Sequence, residues 1–160
     1  MKLATNQLNM TVLMTPDMAN FAGNVHGGAI LKLMDQVAYA CASRYAASYV
    51  VTLSVDQVTF LQPIYVGELV SFLASVNFTG RSSMEVGIKL IAENIRTQDT
   101  RHVNSCFFTM VAVNDERRSI PVPPLHPVSV DEIRRFEAAK RRQESRRALA
   151  EKVDGTKHAK

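Results

Sequence analysis

The longest helical pattern in the chain is residues 27–45, GGAILKLMDQVAYACASRY, where Ala, Leu and Met dominate and apolar positions recur at helical spacing. Around it the period is two. NMTVLMT (9–15) predicts a short strand closed by Pro16, and PDMANFAGNV (16–25) a loop of breakers. Residues 49–63 alternate through Val51, Leu53 and Val55, slip phase at Asp56 and Gln57, and alternate again at Val58 and Phe60. Such a slip predicts a bulge. In 69–80, Val70, Phe72, Ala74, Val76 and Phe78 share a face, as do Met84, Val86, Ile88, Leu90 and Ala92 in 83–94. Residues 101–113 become apolar on both faces, as in a central strand. Turn signals at Gly80, Arg81 and Ser82 and near Thr97–Thr100 join the last three strands as antiparallel hairpins. Four prolines within 121–127 end the sheet. Residues 129–153 predict a second helix with a capping box from Ser129 to Glu132. Its apolar positions, Ile133, Phe136, Ala139 and Leu149, are sparse, so it is expected on the surface or only partly docked. Residues 154–160 are expected to fray.

One strand, one long helix, four strands and a final helix make an α+β arrangement. A single helix of about five turns cannot cover both faces of five strands. A second copy of the chain is the simplest cover for the remaining face or edge.

Composition narrows the class. A chain of 160 residues suits one domain, and 46% hydrophobic residues exclude a disordered chain. No apolar run reaches the roughly 18 residues of a membrane span. The first fifteen residues carry no apolar signal stretch, so no signal peptide is expected, and a chain with only two cysteines fits the reducing cytoplasm as its expected location. Cys41 and Cys106 are spaced for neither a disulfide framework nor zinc, and are expected to be buried free thiols. His26, His102, His126 and His158 are scattered without ligand spacing, so no metal is expected. Residues 1–128 hold nine Lys/Arg and nine Asp/Glu, whereas 129–160 hold ten and six. The whole excess of +4 therefore lies in the tail, and the body is not a basic nucleic-acid-binding surface.

GNVHGGAILKLMDQ (23–36) is where chemistry enters. On a helical wheel Gly28, Lys32, Asp35, Gln36, Tyr39 and Ser43 form a polar stripe with Asp35 in its middle. Ile30, Leu31, Leu33, Met34, Val37, Ala38 and Cys41 cover most of the rest. A solvated stripe is the plain account of that pattern. The other account uses the helix start, where unpaired N–H groups and the positive dipole end meet glycines that permit close approach. An N–H aimed at a carbonyl that becomes negative is an oxyanion donor. Asp35 lies about 10 Å along the axis from Gly28. An antiparallel helix from a second copy would bring the two together.

These residues carry a resemblance. NVHGGAILKLMDQVAYACASRYA, the FLQPIYVG run from Phe60 to Gly67, GRSSMEV from Gly80 to Val86, and FTMVAV followed by PVPPL resemble the hot-dog-fold acyl-CoA thioesterases, the acyl-CoA hydrolase branch. The motifs keep the family's order from about residue 9 to 125. The resemblance implies one long central helix wrapped by a curved antiparallel five-stranded sheet over residues 1–125. Residues 126–160 are then a basic C-terminal helical extension outside the shared pattern. It implies a dimer as the minimal active unit, commonly assembled into hexamers, hydrolysing acyl-CoA to fatty acid and coenzyme A. Asp35 activates water or attacks directly, while Asn24 and the Gly28 N–H of the other protomer position water and polarise the carbonyl. His26 is a further catalytic candidate, and Gly27 a substrate contact. Coenzyme A carries phosphates, and Arg81, Ser82 and Ser83 offer a cation, two hydroxyls and backbone N–H groups in one turn. Basic tail residues such as Arg134 or Arg135 could assist. No separate cofactor is implied. No G-x-S-x-G elbow is present. Two alternatives stand beside hydrolysis: a hot-dog hydroxyacyl-thioester dehydratase using His26, and a non-catalytic acyl-CoA-binding module.

Overall fold

The computed structural model describes residues 5–157, with side chains through Gly155. The chain runs β1 (Gln7–Leu13), α1 (Gly27–Ala46), β2 (Val50–Val55), β3 (Leu69–Thr79), β4 (Ser83–Glu93), β5 (Thr100–Ala112) and α2 (Val130–Lys157). All strands pair antiparallel in one sheet, in the order β1-β3-β4-β5-β2. This is the α+β hot-dog fold, with α1 against one face of the sheet.

His26 caps α1, and a left-handed Ala47 (φ 51°) ends it. Its buried face is Ile30, Met34, Val37, Ala38, Cys41 and Ala42, the helical spacing of the sequence. That face meets Val70, Phe72 and Val76 of β3, the expected run from Met84 to Ala92 of β4, and Cys106, Phe108 and Met110 of β5. Both cysteines are free and buried. Burial pushes the Cys41 thiol up to about 11 and the Cys106 thiol to about 12, so neither ionises near neutrality.

Three bulges redirect side chains. The slip predicted at Asp56 and Gln57 occurs earlier, at Leu53, and β2 stops at Val55 instead of continuing to residue 63. Val51 pairs with Val111 and Val55 with Phe108, so these two residues, predicted to share a face, do not. A second bulge at Asn77 turns Phe78 away from the core face it was expected to share with Val76. The third is at Val103, where Leu90 pairs with Asn104 and Ile91 with His102. Asn104 Nδ2 then donates to Thr59 O, and Leu61 N–H donates to Val103 O at 3.1 Å, fastening the segment after β2. Leu31 also departs from its expected place, lying on the exposed side of α1.

An ion pair fixes the next segment. Arg101 donates to both oxygens of Glu68 at 2.6 and 2.8 Å and to Pro63 O at 2.7 Å. Tyr65 N–H donates to the same carboxylate at 2.9 Å. Burial acts to raise the Glu68 carboxyl, but the Arg101 hydrogen bond, the Tyr65 N–H and the Arg101 charge outweigh it, and the pKa lies below its ordinary 4.5.

α2 docks on the face opposite α1 by a few specific contacts. Phe136 meets Phe78 at 5.1 Å, and Ala139 is fully buried. Arg142 stacks 3.6 Å over the Phe107 ring and forks onto buried Glu85. Arg146 bridges Glu85 and Asp56. The capping box is present: Ser129 Oγ accepts from Glu132 N–H, and the Glu132 carboxylate accepts from the Val128 and Ser129 N–H groups. The helix extends to Lys157, beyond the predicted end, and residues 158–160 of the expected frayed tail lie outside the described residues.

Removing the Glu68 charge leaves the part-buried Arg101 guanidinium without its counter-charge, and Glu68→Gln should lower stability by about 2 kcal/mol at neutral pH in urea titrations. A carboxyl held below its unfolded value stabilises the fold above that value and loses the effect as pH falls through the folded one. Wild-type stability should therefore drop as pH falls below 4.5, and Glu68→Gln should flatten that slope.

Candidate active site

The loop before α1 is closed by its own polar groups. Asn20 Oδ1 accepts from the N–H groups of Ala22 and Asn24 at 2.9 and 3.1 Å, and Asn20 N–H donates to Asn24 O at 2.6 Å. Gly23 supplies the positive φ (84°) the turn needs. The loop hangs on the segment that Arg101 holds: Val25 N–H donates to Ile64 O at 2.8 Å, and Asn24 bridges Tyr65. Asn20, Asn24, Gly27 and Phe60 line a small cleft at the start of the helix. A Cβ on Gly27 would lie 3.5 Å from the Phe60 ring.

His26 Nδ1 accepts from the Gly28 N–H at 2.9 Å. A neutral His26 so engaged carries its proton on Nε2. The Ala29 and Ile30 N–H groups turn to His26 O at 3.0 and 3.3 Å. Among the described residues this leaves the Gly27 N–H as the unpartnered donor of the first turn. The Gly28 N–H, expected to face a substrate carbonyl, is held by the imidazole unless that ring moves.

Asp35 sits two turns away on the exposed stripe, as the wheel predicted. Thr52 Oγ1 donates to Asp35 Oδ1 at 2.6 Å. Leu31, Lys32, Val55 and Val58 line an open cleft with Asp35, distinct from the cleft at Gly27. One protomer thus groups Asn24, His26, Gly27 and Gly28 and, separately, Asp35 with Thr52. Arg81, Ser82 and Ser83 form a third place, the β3–β4 turn, where Ser82 O accepts from Ala112 N–H and Arg81 O from Val122 N–H. Arg134 and Arg135 join none of these groups. They face the outer side of the sheet, with Lys89 and His102.

Thr52 was not singled out from sequence. Val50 and Thr52 pair with Ala112 and Met110, whose side chains are buried, so Thr52 places a hydroxyl on the helix-facing side of β2, a register that the apolar alternation of Val51, Leu53 and Val55 does not reveal. Asn20 lies in the loop of breakers, and no periodic pattern in the sequence marks its bonds to the N–H groups of Ala22 and Asn24.

The sequence model of the thioesterase superfamily matches residues 22–98. Protein VdlD of Helicobacter pylori is 51% identical over 140 residues, 88% of this chain and 80% of its own length. The crystal structure of an apo-hexameric acyl-CoA thioesterase superposes with a TM-score of 0.87 at 35% identity, over 90% of this chain and 92% of that one. An acyl-CoA hydrolase from Staphylococcus aureus, solved with butyryl coenzyme A, coenzyme A and coenzyme A disulfide, gives 0.86 at 28% identity, over 94% and 92%. Alanine variants of that hydrolase at one asparagine, one aspartate and one threonine have also been solved. At this identity and coverage, on the same sheet and helix, the chain belongs to the hot-dog-fold acyl-CoA thioesterase family.

Proposed function

We propose that this thioesterase hydrolyses acyl-CoA with Asp35 as general base, in a site completed by the α1 start of a second copy. The Asp35–Thr52 hydrogen bond carries the reading. In the S. aureus hydrolase the substituted threonine follows the substituted aspartate by 17 positions, and Thr52 follows Asp35 by the same 17. The substituted asparagine precedes that aspartate by 15 positions, which from Asp35 falls on Asn20. We assign Asn20 the asparagine role, with Asn24 as the residue that orients it. The Asn20 oxygen is taken by two backbone N–H groups, so its amide nitrogen is the end left to donate.

The chemistry follows from these positions. Thr52 holds Oδ1 of Asp35, leaving Oδ2 to take a proton from water. The water oxygen attacks the thioester carbonyl carbon. The charge that develops on the carbonyl oxygen meets the Gly27 N–H of the partner copy, and the Gly28 N–H once His26 swings off it. The carbon–sulfur bond breaks, the proton goes to the departing thiolate, and the products are a carboxylic acid and coenzyme A. The Arg81–Ser83 turn serves coenzyme A phosphates.

The dimer is argued from β2. It is an edge strand, and Tyr49, Val51, Leu53 (68% exposed) and Val55 leave an apolar margin beside its unpaired backbone. Pairing of two such edges brings one Asp35 toward the other α1 start. We propose this dimer as the active unit and a hexamer as the assembly. Buried free thiols accord with a reducing compartment, and we assign the enzyme to the cytoplasm.

Asp35→Asn keeps shape and removes the base, so free-thiol release from acyl-CoA should fall by about 10²–10⁴-fold while coenzyme A binding persists. No thiol release by the wild type would exclude hydrolysis. Thr52→Val removes a hydrogen bond to a charged group, and kcat should fall roughly 10- to 100-fold. Leu53→Asp should shift the protein to monomers in light scattering and abolish turnover together with assembly.

A further inference from the structure

Val55 and Asp56, where β2 ends, stand between two clefts. On the α1 side they line the cleft of Asp35, with Lys32 and Val58. On the other side the same two residues line a groove under the second half of α2, with Arg146 and Leu149. The ladder to β5 stops here, with Val55 opposite Phe108 and the Asp56 N–H donating to Phe107 O at 3.0 Å. Among the described residues the next backbone–backbone bond along the chain is from Leu61 N–H to Val103 O. The wall residue Val58 thus hangs in a stretch with few fastenings of its own. The Asp56 carboxylate supplies one. Arg146 donates to Asp56 Oδ1 at 2.8 Å through Nε and to Oδ2 at 3.0 Å through Nη2. Such a fork fixes the direction of the carboxylate as well as its distance. Arg146 is itself tied to buried Glu85, so it anchors Asp56 rather than following it. Arg142 forks onto the same Glu85 and stacks on Phe107, with no bond to Asp56 among the described residues. The two arginines dock one helix, and one of them also reaches the wall of the Asp35 cleft.

We propose that Arg146 is a positioning residue for the hydrolysis: through Asp56 it sets the wall of the Asp35 cleft, and α2 is thereby part of the catalytic unit. The inference rests on the reading of Asp35 as the base. A base works only within hydrogen-bond reach of the proton it takes, and a misplacement of about 1 Å caused by a distant change can cost about 100-fold in rate. Asp35 takes its orientation from Thr52, which lies on β2 four residues before Asp56. A shift at the end of β2 therefore disturbs the wall and the partner of the base together.

Steady-state thiol release and amide hydrogen exchange on full-length variants test this. Arg146→Gln should lower kcat roughly 10- to 100-fold with the KM for acyl-CoA little changed, and its Asp56 amide should exchange faster. Arg142→Gln loosens the same helix, so its melting temperature should also fall, yet its kcat should match the wild type. Asp56→Asn should lower kcat as Arg146→Gln does, and the double variant should be no worse than either single one, because a shared interaction is lost only once. If Arg146→Gln fails to fold, Arg146→Lys, which keeps the charge and loses the fork, should show an intermediate kcat, and a wild-type kcat there overturns the proposal. Equal loss of kcat in the Arg142 and Arg146 variants overturns it too, since Arg146 would then be an anchor of α2 and nothing more. Additive losses in the double variant, or faster exchange at Asp56 with kcat unchanged, do the same. Unaltered exchange in folded Arg146→Gln removes the link to the wall. Full turnover in Asp35→Asn is a different result: it sinks the base, while exchange at Asp56 and the comparison with Arg142 still decide the part played by Arg146.

Discussion

Glu68 and Arg101 meet where the chain turns from the long connection after β2 into β3, and much of the functional geometry is suspended from that meeting. Two charges taken largely out of water are tolerated only when every remaining hydrogen-bonding position is filled. Here the carboxylate has the guanidinium fork and the Tyr65 N–H, and the guanidinium has Pro63 O besides. The saturated pair makes the 63–68 segment rigid. That segment carries Val25 and Asn24 through Ile64 and Tyr65, so the loop feeding α1 takes its position from an ion pair on β5. Neither partner touches the clefts.

The two faces of the sheet solve different problems. One is apolar and wraps α1. The other meets a helix that has little apolar surface, and docks it by guanidinium groups on Glu85, Asp56 and the Phe107 ring. Bulges decide which side chain serves which face. Asn77 hands Phe78 to α2, Leu53 lets Val55 join the Asp35 cleft, and Val103 ties down the segment after β2.

Periodicity made most of this fold legible. α1, the core faces of β3 and β4, the capping box and the polar stripe with Asp35 stand where the residue pattern puts them, because burial on one side is written directly in alternation or helical spacing. Bulges are not: a single extra residue reverses every face after it, which is why Phe78 and Val55 lie on faces other than those the alternation predicts. The family was legible from motifs in order. The Thr52 partner of Asp35 and the imidazole on the Gly28 N–H were not, since both depend on tertiary approach between residues that no local pattern links.

The distance between Asp35 and the start of its own helix has a genetic consequence. In the proposed dimer each site draws its base from one copy and its carbonyl donors from the other, so the gene behaves as two halves. A copy lacking only the carboxylate and a copy lacking only a working helix start are each inactive as homodimers. Co-expressed, they form a mixed dimer in which both defects fall on one site and the second site is whole. On the proposed dimer, two dead alleles of this gene are expected to complement each other, a carrier of both retaining activity that neither parent shows.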